Sequence, residues 1–103
     1  MNGAATLGVT LEFHCDGVLV QYLSQWNSTN TVLENELIRG ISEKGQELWQ
    51  YRPEPNESGE AVWMGGAEPT LDKKLIHVWQ SNCRRLKLDP HTGKILENIY
   101  QLT

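Results

Sequence analysis

A strand-and-turn phrase that occurs twice constrains the fold of this chain more than any other feature of its sequence. The first copy spans residues 37–52 and the second spans residues 86–101. In each copy a short β-prone run leads into a polar turn that ends in glycine, Gly45 or Gly93, and an apolar run follows. The two glycines lie 48 residues apart, a spacing typical of a repeated supersecondary unit. The sequence therefore predicts two copies of one β unit.

Length and composition indicate a single small globular domain, residues 1–103. The chain has 39% hydrophobic and 21% charged residues and a net charge of −4, a balance typical of folded globular proteins. Proteins that track nucleic-acid phosphates need clustered Lys and Arg, so this acidic balance argues against nucleic acid as a partner. The first residues, MNGAATLGV, lack the basic and apolar regions of a signal peptide, and no run reaches membrane-span length. We expect a cytoplasmic protein without a membrane partner, in which Cys15 and Cys83 are free, mostly buried thiols.

Alternation of apolar and polar residues, together with turn signals, predicts four strands in the first half: 9–14, 18–23, 37–41 and 47–52. Asp16-Gly17 has the composition of a two-residue hairpin turn. The strand that follows is apolar on both faces apart from Gln21, which favours a central position in a sheet. The polar residues 24–31 are interpreted as a loop. These strands form the first repeat, about residues 7–52.

Prolines in the segment 53–60 predict a linker, after which the plan repeats. The strands predicted in the second half are 61–65, 74–79, 84–88 and 94–102. Its last turn has the most specific local signal, because Asp89 can cap the turn amides, Pro90 presets φ, and Gly93 tolerates the left-handed position. These strands form the second repeat, about residues 61–103.

The segment 31–44 also carries a helical pattern. Leu33, Leu37 and Ile41 are four residues apart, as on one face of a helix. The interior Gly40 and the β-branched residues around it oppose a helix. The second copy, whose turn chemistry favours strands, opposes it as well. We therefore predict a strand here.

Marker residues recur in the last hairpin of each repeat: Gly40, Gly45 and Trp49 in the first, and Asp89, Thr92 and Gly93 in the second. The second copy has Lys87 and Glu97 where the first has its small residue and its tryptophan. This arrangement resembles the blade repeat of quinoprotein-like (PQQ-type) β-propellers, whose pattern runs Ala, Asp, Thr-Gly, Trp across the last hairpin. It is also similar to small uncharacterised bacterial proteins that carry the same repeat. The resemblance implies an all-β fold of two propeller-blade-like antiparallel sheets with about eight strands, and it leaves activity open.

Two blades are fewer than a propeller needs, since closed propellers have at least four. Alone, they would leave edge strands and an apolar face in water. The sheets must therefore pack face to face as a small sandwich or bury the remaining surface in another subunit. A homo-oligomer is expected, because symmetric closure hides sticky edges.

Motifs for catalysis, metal binding or cofactor binding are not found in the sequence. The histidines and cysteines show none of the spacings of zinc sites. The paired carboxylates Glu34 and Glu36 belong to a glutamate-rich run that is typical of a solvated face. We therefore assign no catalytic residue, no metal and no cofactor.

Tryptophans and nearby polar groups are the best candidates for binding. Trp49 and Trp79 are expected in the core, whereas Trp26 lies in a polar loop and Trp63 adjoins Met64 and two glycines. Exposed Trp and Met are common interface anchors. The candidate ligand- or partner-binding residues are Trp26, Trp63, Met64, His77, Trp79, Arg84 and Arg85.

Charge is unevenly distributed, with a sum of −6 over residues 34–72 and +5 over residues 73–94. Such asymmetry can steer self-association or an acidic partner, although both signs can equally coat separate solvent faces. The sequence favours a non-enzymatic interaction protein that forms homo-oligomers and presents loop aromatics to a protein or a small ligand. The alternative is a small-molecule-binding protein or enzyme with a pocket between the two sheets, using His77, Arg84 and Arg85.

Overall fold

A computed structural model describes residues 8–26, 33–54, 58, 59, 62 and 64–100. These residues form eight strands: β1 (Gly8–Cys15), β2 (Val18–Trp26), β3 (Leu33–Ile41), β4 (Glu47–Tyr51), β5 (Met64–Pro69), β6 (Ile76–Gln80), β7 (Arg84–Leu88) and β8 (Ile95–Tyr100). Strands β1 to β4 form sheet 1 and β5 to β8 form sheet 2, each antiparallel and in chain order. The predicted all-β fold with two four-stranded sheets is confirmed. The described residues include no helix that could cross a membrane.

The hairpin between β2 and β3 is longer than predicted. Strand β2 continues to Trp26, which the sequence placed in a loop, and β3 begins at Leu33. Ser24 and Gln25 pair with Glu36 and Asn35 across the hairpin, so backbone pairing extends through polar residues that carry no strand signal. The segment with the helical pattern is a strand over residues 33–41, as predicted.

Strand β5 is displaced from its predicted position. The sequence indicated residues 61–65, of which 61 and 63 lie outside the described residues, whereas β5 spans Met64–Pro69. This strand contains Gly65, Gly66 and Pro69, residue types that are depleted in strands. Pro69 is tolerated because β5 lies at the edge of sheet 2, where a missing N–H breaks no ladder on the open side.

The two sheets share one pairing pattern. In sheet 1 Gly40 lies opposite Trp49, and a β-bulge follows this pair. In sheet 2 Lys87 lies opposite Glu97, and a bulge follows at the same place. Residues of one sheet therefore have positional equivalents in the other, and Lys87 and Glu97 occupy the positions of Gly40 and Trp49.

The core lies between the sheets. The face of sheet 1 that packs inward, the docking face, carries the buried residues Val20, Tyr22, Ile38 and Trp49. The inner face of sheet 2 carries the buried residues Ile76, Val78, Leu86 and Leu88. The equivalent of the docking face in sheet 2, which carries Lys87 and Glu97, points away from sheet 1 and is termed the outward face. The two sheets therefore face the same way, because the docking face of sheet 1 packs against the opposite, non-equivalent face of sheet 2. The protein is a small two-sheet sandwich.

Candidate functional site

Arg84 and Arg85, adjacent in sequence, lie on opposite faces of sheet 2. Arg84 shares the inner face with Leu86, and its guanidinium carbon is 5.3 Å from the centre of the Tyr100 ring. Arg85 pairs with Trp79 and therefore lies on the outward face. A pocket between the sheets can thus use Arg84, but not Arg85.

His77 and Trp79 lie with Arg85 on the outward face. The ring centres of His77 and Trp79 are 4.6 Å apart, with their planes tilted by 36°. A Cβ placed on Gly66 would lie 3.3 Å from the Trp79 ring, so this glycine allows the indole to settle on β5. Trp79 is consequently half-buried on the outward face rather than in the inter-sheet core where it was expected.

Met64 does not act as an exposed anchor. Its side chain is only 2% exposed because it points between the sheets. Trp63 lies outside the described residues, and for Trp26 only the backbone position at the end of β2 is described. The structure therefore brings three candidates together on the outward face, His77, Trp79 and Arg85, and separates Arg84 and Met64 from them.

A buried polar contact that sequence reasoning missed joins the two sheets. Glu36 is 7% exposed, and its two carboxylate oxygens accept hydrogen bonds from the Tyr22 hydroxyl and from the backbone N–H of Met64. Burial raises the pKa of Glu36, although both hydrogen bonds act to lower it. Burial and the Glu36 contact also raise the pKa of Tyr22. A usable sequence signal was that Glu36 shares a strand face with Ile38 and Gly40.

A cleft of about 410 Å³ opens between the end of sheet 1 and the inner face of β7 and β8. Leu86 and Ile95 supply its apolar surface. Its polar lining consists of Tyr51, Glu54, Gln80, Asn82, Arg84 and Asn98. The Gln80 side-chain amide donates a hydrogen bond to the Tyr51 hydroxyl across the two sheets. This cleft is the candidate small-ligand site, and it combines a cation, amides and an apolar floor.

A second groove, of about 500 Å³, lies on the other side of sheet 1, near its hairpin turns. His14, Leu19 and Ile41 are among its lining residues. Nearby, the His91 ring is 2.9 Å from the Asp16 carboxylate, which ties the β1–β2 turn to the β7–β8 turn. Among the described residues, no three His, Cys, Asp or Glu side chains are grouped so that they could hold a metal ion.

Strand β8 forms an edge of sheet 2 and exposes four large apolar side chains. They are Ile95, Leu96, Ile99 and Tyr100, exposed by 42%, 52%, 46% and 54%. Across the described residues, eight large apolar side chains are exposed, so this one strand carries half of them. Ile95 and Tyr100 lie on the inner face and Ile99 lies on the outward face, so β8 exposes apolar side chains on both faces of the sheet edge.

The cysteines are unpaired, as expected, but only one is buried. Cys15 lies in the core, where its thiol contacts the carbonyls of Lys73 and Leu75. Cys83 is exposed, contrary to the expectation of two mostly buried thiols, because it occupies the tight turn between β6 and β7 with a φ of 65°.

No protein-family model, curated protein or solved structure matches this chain.

Proposed function

We propose that this chain is a non-enzymatic interaction protein that associates with other chains, first of all a second copy of itself, through the edge strand β8. One observation carries the proposal: half of the exposed large apolar side chains in the described residues lie on this single strand. An edge strand offers a row of unpaired backbone N–H and C=O groups, and exposed apolar side chains beside them favour pairing with another chain.

The equivalent edge strand of sheet 1 supports this reading. Glu47 of β4 occupies the position of Ile95 in β8, and Glu47 lies 3.8 Å from the Arg39 guanidinium. Charged residues on edge strands discourage pairing. Trp49 and Tyr51 of β4 are turned into the core. Of the large apolar side chains of β4, only Leu48 is thus exposed, whereas the equivalent strand β8 of sheet 2 exposes four.

The proposal includes features inferred from the sequence. The two sheets correspond to blade-like repeats over about residues 7–52 and 61–103, joined by the segment 53–60, and the protein acts in the cytoplasm, where its two thiols stay reduced. The register shared by the two sheets and the unpaired state of Cys15 and Cys83 support these parts. The cleft beside Arg84 favours ligand binding as a second function.

Light scattering coupled to size exclusion tests self-association. At tens of micromolar protein we expect a dimer or a closed higher oligomer. Changing Ile99→Lys on β8 should shift the protein towards monomer, because a charge on an edge strand opposes pairing. The control is Leu71→Lys, in a loop where the side chain is fully exposed, and it should leave the mass unchanged. A monomeric wild-type protein, or equal effects of the two variants, would contradict the proposal.

A further inference from the structure

Arg84 is a half-buried cation without an ion-pair partner among the described residues. Its backbone N–H contacts the Asn82 side chain at 3.3 Å, and its guanidinium lies over the Tyr100 ring. A guanidinium offers five N–H donors in a planar fork that matches a carboxylate. Arg84 is therefore equipped to take an anionic group from another molecule.

The cleft offers hydrogen-bond donors around Arg84. Asn82 and Asn98 contribute side-chain amides, and the Tyr51 hydroxyl, which accepts from Gln80, keeps its own proton for donation. Glu54 is the one carboxylate among the residues lining the cleft, and it is exposed. The guanidinium, these donors and the apolar floor fit a carboxylate attached to an apolar chain.

The position of this cation links the cleft to the edge of the sheet. Arg84 pairs with Tyr100 of β8, and its guanidinium extends over that ring, towards the side where β8 has no neighbouring strand in the described chain. A strand added there would lie about 4.8 Å beyond β8. Its alternate side chains would face the cleft, as in recognition by strand addition. A glutamate opposite Tyr100 could then reach Arg84 across the ring.

We propose that the β8 edge and the adjoining cleft bind an extended peptide segment in which an acidic side chain, flanked by apolar or β-branched residues, pairs with Arg84. This inference rests on the proposed function, because it takes β8 as the contact surface and specifies the kind of segment that the surface accepts. A free small carboxylate could pair with Arg84 in the same way, but it would lack the backbone pairing with β8.

Fluorescence anisotropy with a labelled peptide, Val-Thr-Val-Glu-Val-Thr with blocked termini, tests the proposal. The matched peptide carries Gln in place of Glu. We expect the Glu peptide to bind wild-type protein and to lose about tenfold in affinity to Arg84→Gln, the range expected for a hydrogen bond to a charged group. Arg84→Lys should give a smaller loss, since it keeps the charge without the fork. The control is Arg85→Gln, on the outward face, which should bind as wild type.

Three results would overturn the inference. They are equal losses for the Arg84→Gln and Arg85→Gln variants, equal binding of the Glu and Gln peptides, and binding of glutarate without binding of the peptide. Amide chemical shifts provide the second readout: peptide addition should move β8 resonances, whereas glutarate should move only those around Arg84. The peptide and a second copy compete for the same edge, so a bound Glu peptide should also shift the protein towards monomer. If the protein self-associates through β8 and excess peptide neither binds nor shifts the mass, the inference fails while the proposed function stands. If the protein is monomeric and binds the peptide, the proposed self-association fails while the inference about the peptide stands.

Discussion

The indole of Trp49 lies directly across Gly93, so that a Cβ on this glycine would come within 2.6 Å of the ring atoms Cδ2 and Cε3. The ring nitrogen of Trp49 donates a hydrogen bond of 2.6 Å to the carbonyl of Pro90. On sheet 1 the same ring covers Gly40, where a Cβ would lie 2.6 Å from Cε2. The ring of Trp49 thus lies between Gly40 of β3 and Gly93 in the turn between β7 and β8, and it joins the two sheets.

Substitution of Gly93 should cost more stability than substitution of the equivalent turn glycine. Gly45 and Gly93 both have a positive φ, 82° and 72°, so alanine at either position is strained by about 1 to 3 kcal/mol. A Cβ added at Gly45 would meet no atom within 4 Å, whereas one added at Gly93 would meet the Trp49 ring. Overpacking should add about 1 to 3 kcal/mol for Gly93→Ala. Urea unfolding measures the stability of the two variants. Equal midpoints for Gly45→Ala and Gly93→Ala would contradict the role of Gly93 in making room for the Trp49 ring.

The buried Glu36 should make the protein less stable as the pH rises. Burial raises the pKa of Glu36 in the folded state, so the folded protein holds this proton more tightly than the unfolded chain. Stability from protonated Glu36 is complete below the unfolded pKa and declines as the pH rises through the folded pKa. Glu36→Gln should remove this decline, so at pH values above the folded-state pKa of Glu36 the variant should be more stable than wild type.

Urea midpoints measured from about pH 4 to about pH 7, a range that starts near the ordinary carboxyl pKa, check the effect of Glu36→Gln. The control is Glu68→Gln, at an exposed position of β5, which should follow the wild-type curve. A Glu36→Gln curve that runs parallel to wild type at every pH would show that Glu36 titrates alike in both states.

The two cysteines should differ strongly in reactivity. Burial, with smaller contributions from Asp16 and Asp72, raises the pKa of Cys15 to about 11, and thiolate is the reactive form. Cys83 is exposed. Ellman's reagent should label one thiol rapidly in native protein and both in denaturant. Cys83→Ser should abolish the rapid phase, and simultaneous labelling of both thiols in native wild type would contradict the burial of Cys15.

The Lys87 and Glu97 pair should prevent the outward face of sheet 2 from docking another sheet. These residues occupy the positions of Gly40 and Trp49, and their charged atoms lie 3.4 Å apart. Their side chains are 38% and 43% exposed, and ion pairs near the surface contribute about 0 to 1 kcal/mol, so replacing them should leave the fold intact. The double change Lys87→Gly and Glu97→Trp gives sheet 2 the same glycine and tryptophan pair as Gly40 and Trp49 of sheet 1, and it should increase self-association.

Sedimentation velocity compares this double variant with wild type and with each single change. The single changes should have weaker effects, because the indole needs a small residue opposite it. An unaltered mass for the double variant at every concentration would show that this pair of positions does not control docking.

The sequence alone determined the features that depend on local chemistry. The Asp89 to Gly93 turn forms as predicted, with the Gly93 N–H donating to the Asp89 carbonyl at 2.8 Å, because proline and glycine restrict the backbone directly. Strand β7 has its predicted bounds, and the Asp16-Gly17 hairpin turn forms as its composition indicated, with φ values of 50° and 83°. The predicted strand bounds were wrong at β5 and at the end of β2, where pairing between strands outweighed polar residues, glycine and proline.

Tertiary structure decided which face of each strand is covered. Period-two alternation shows that Arg84 and Arg85 point to opposite sides, but it cannot show which side meets the other sheet. That choice depends on contacts between residues far apart in sequence, such as Trp49 with Pro90, 41 positions away. The same packing buried Glu36 and Met64 and left the side chains of β8 in solvent. Alternation is a property of the backbone, whereas burial is a property of the whole sandwich.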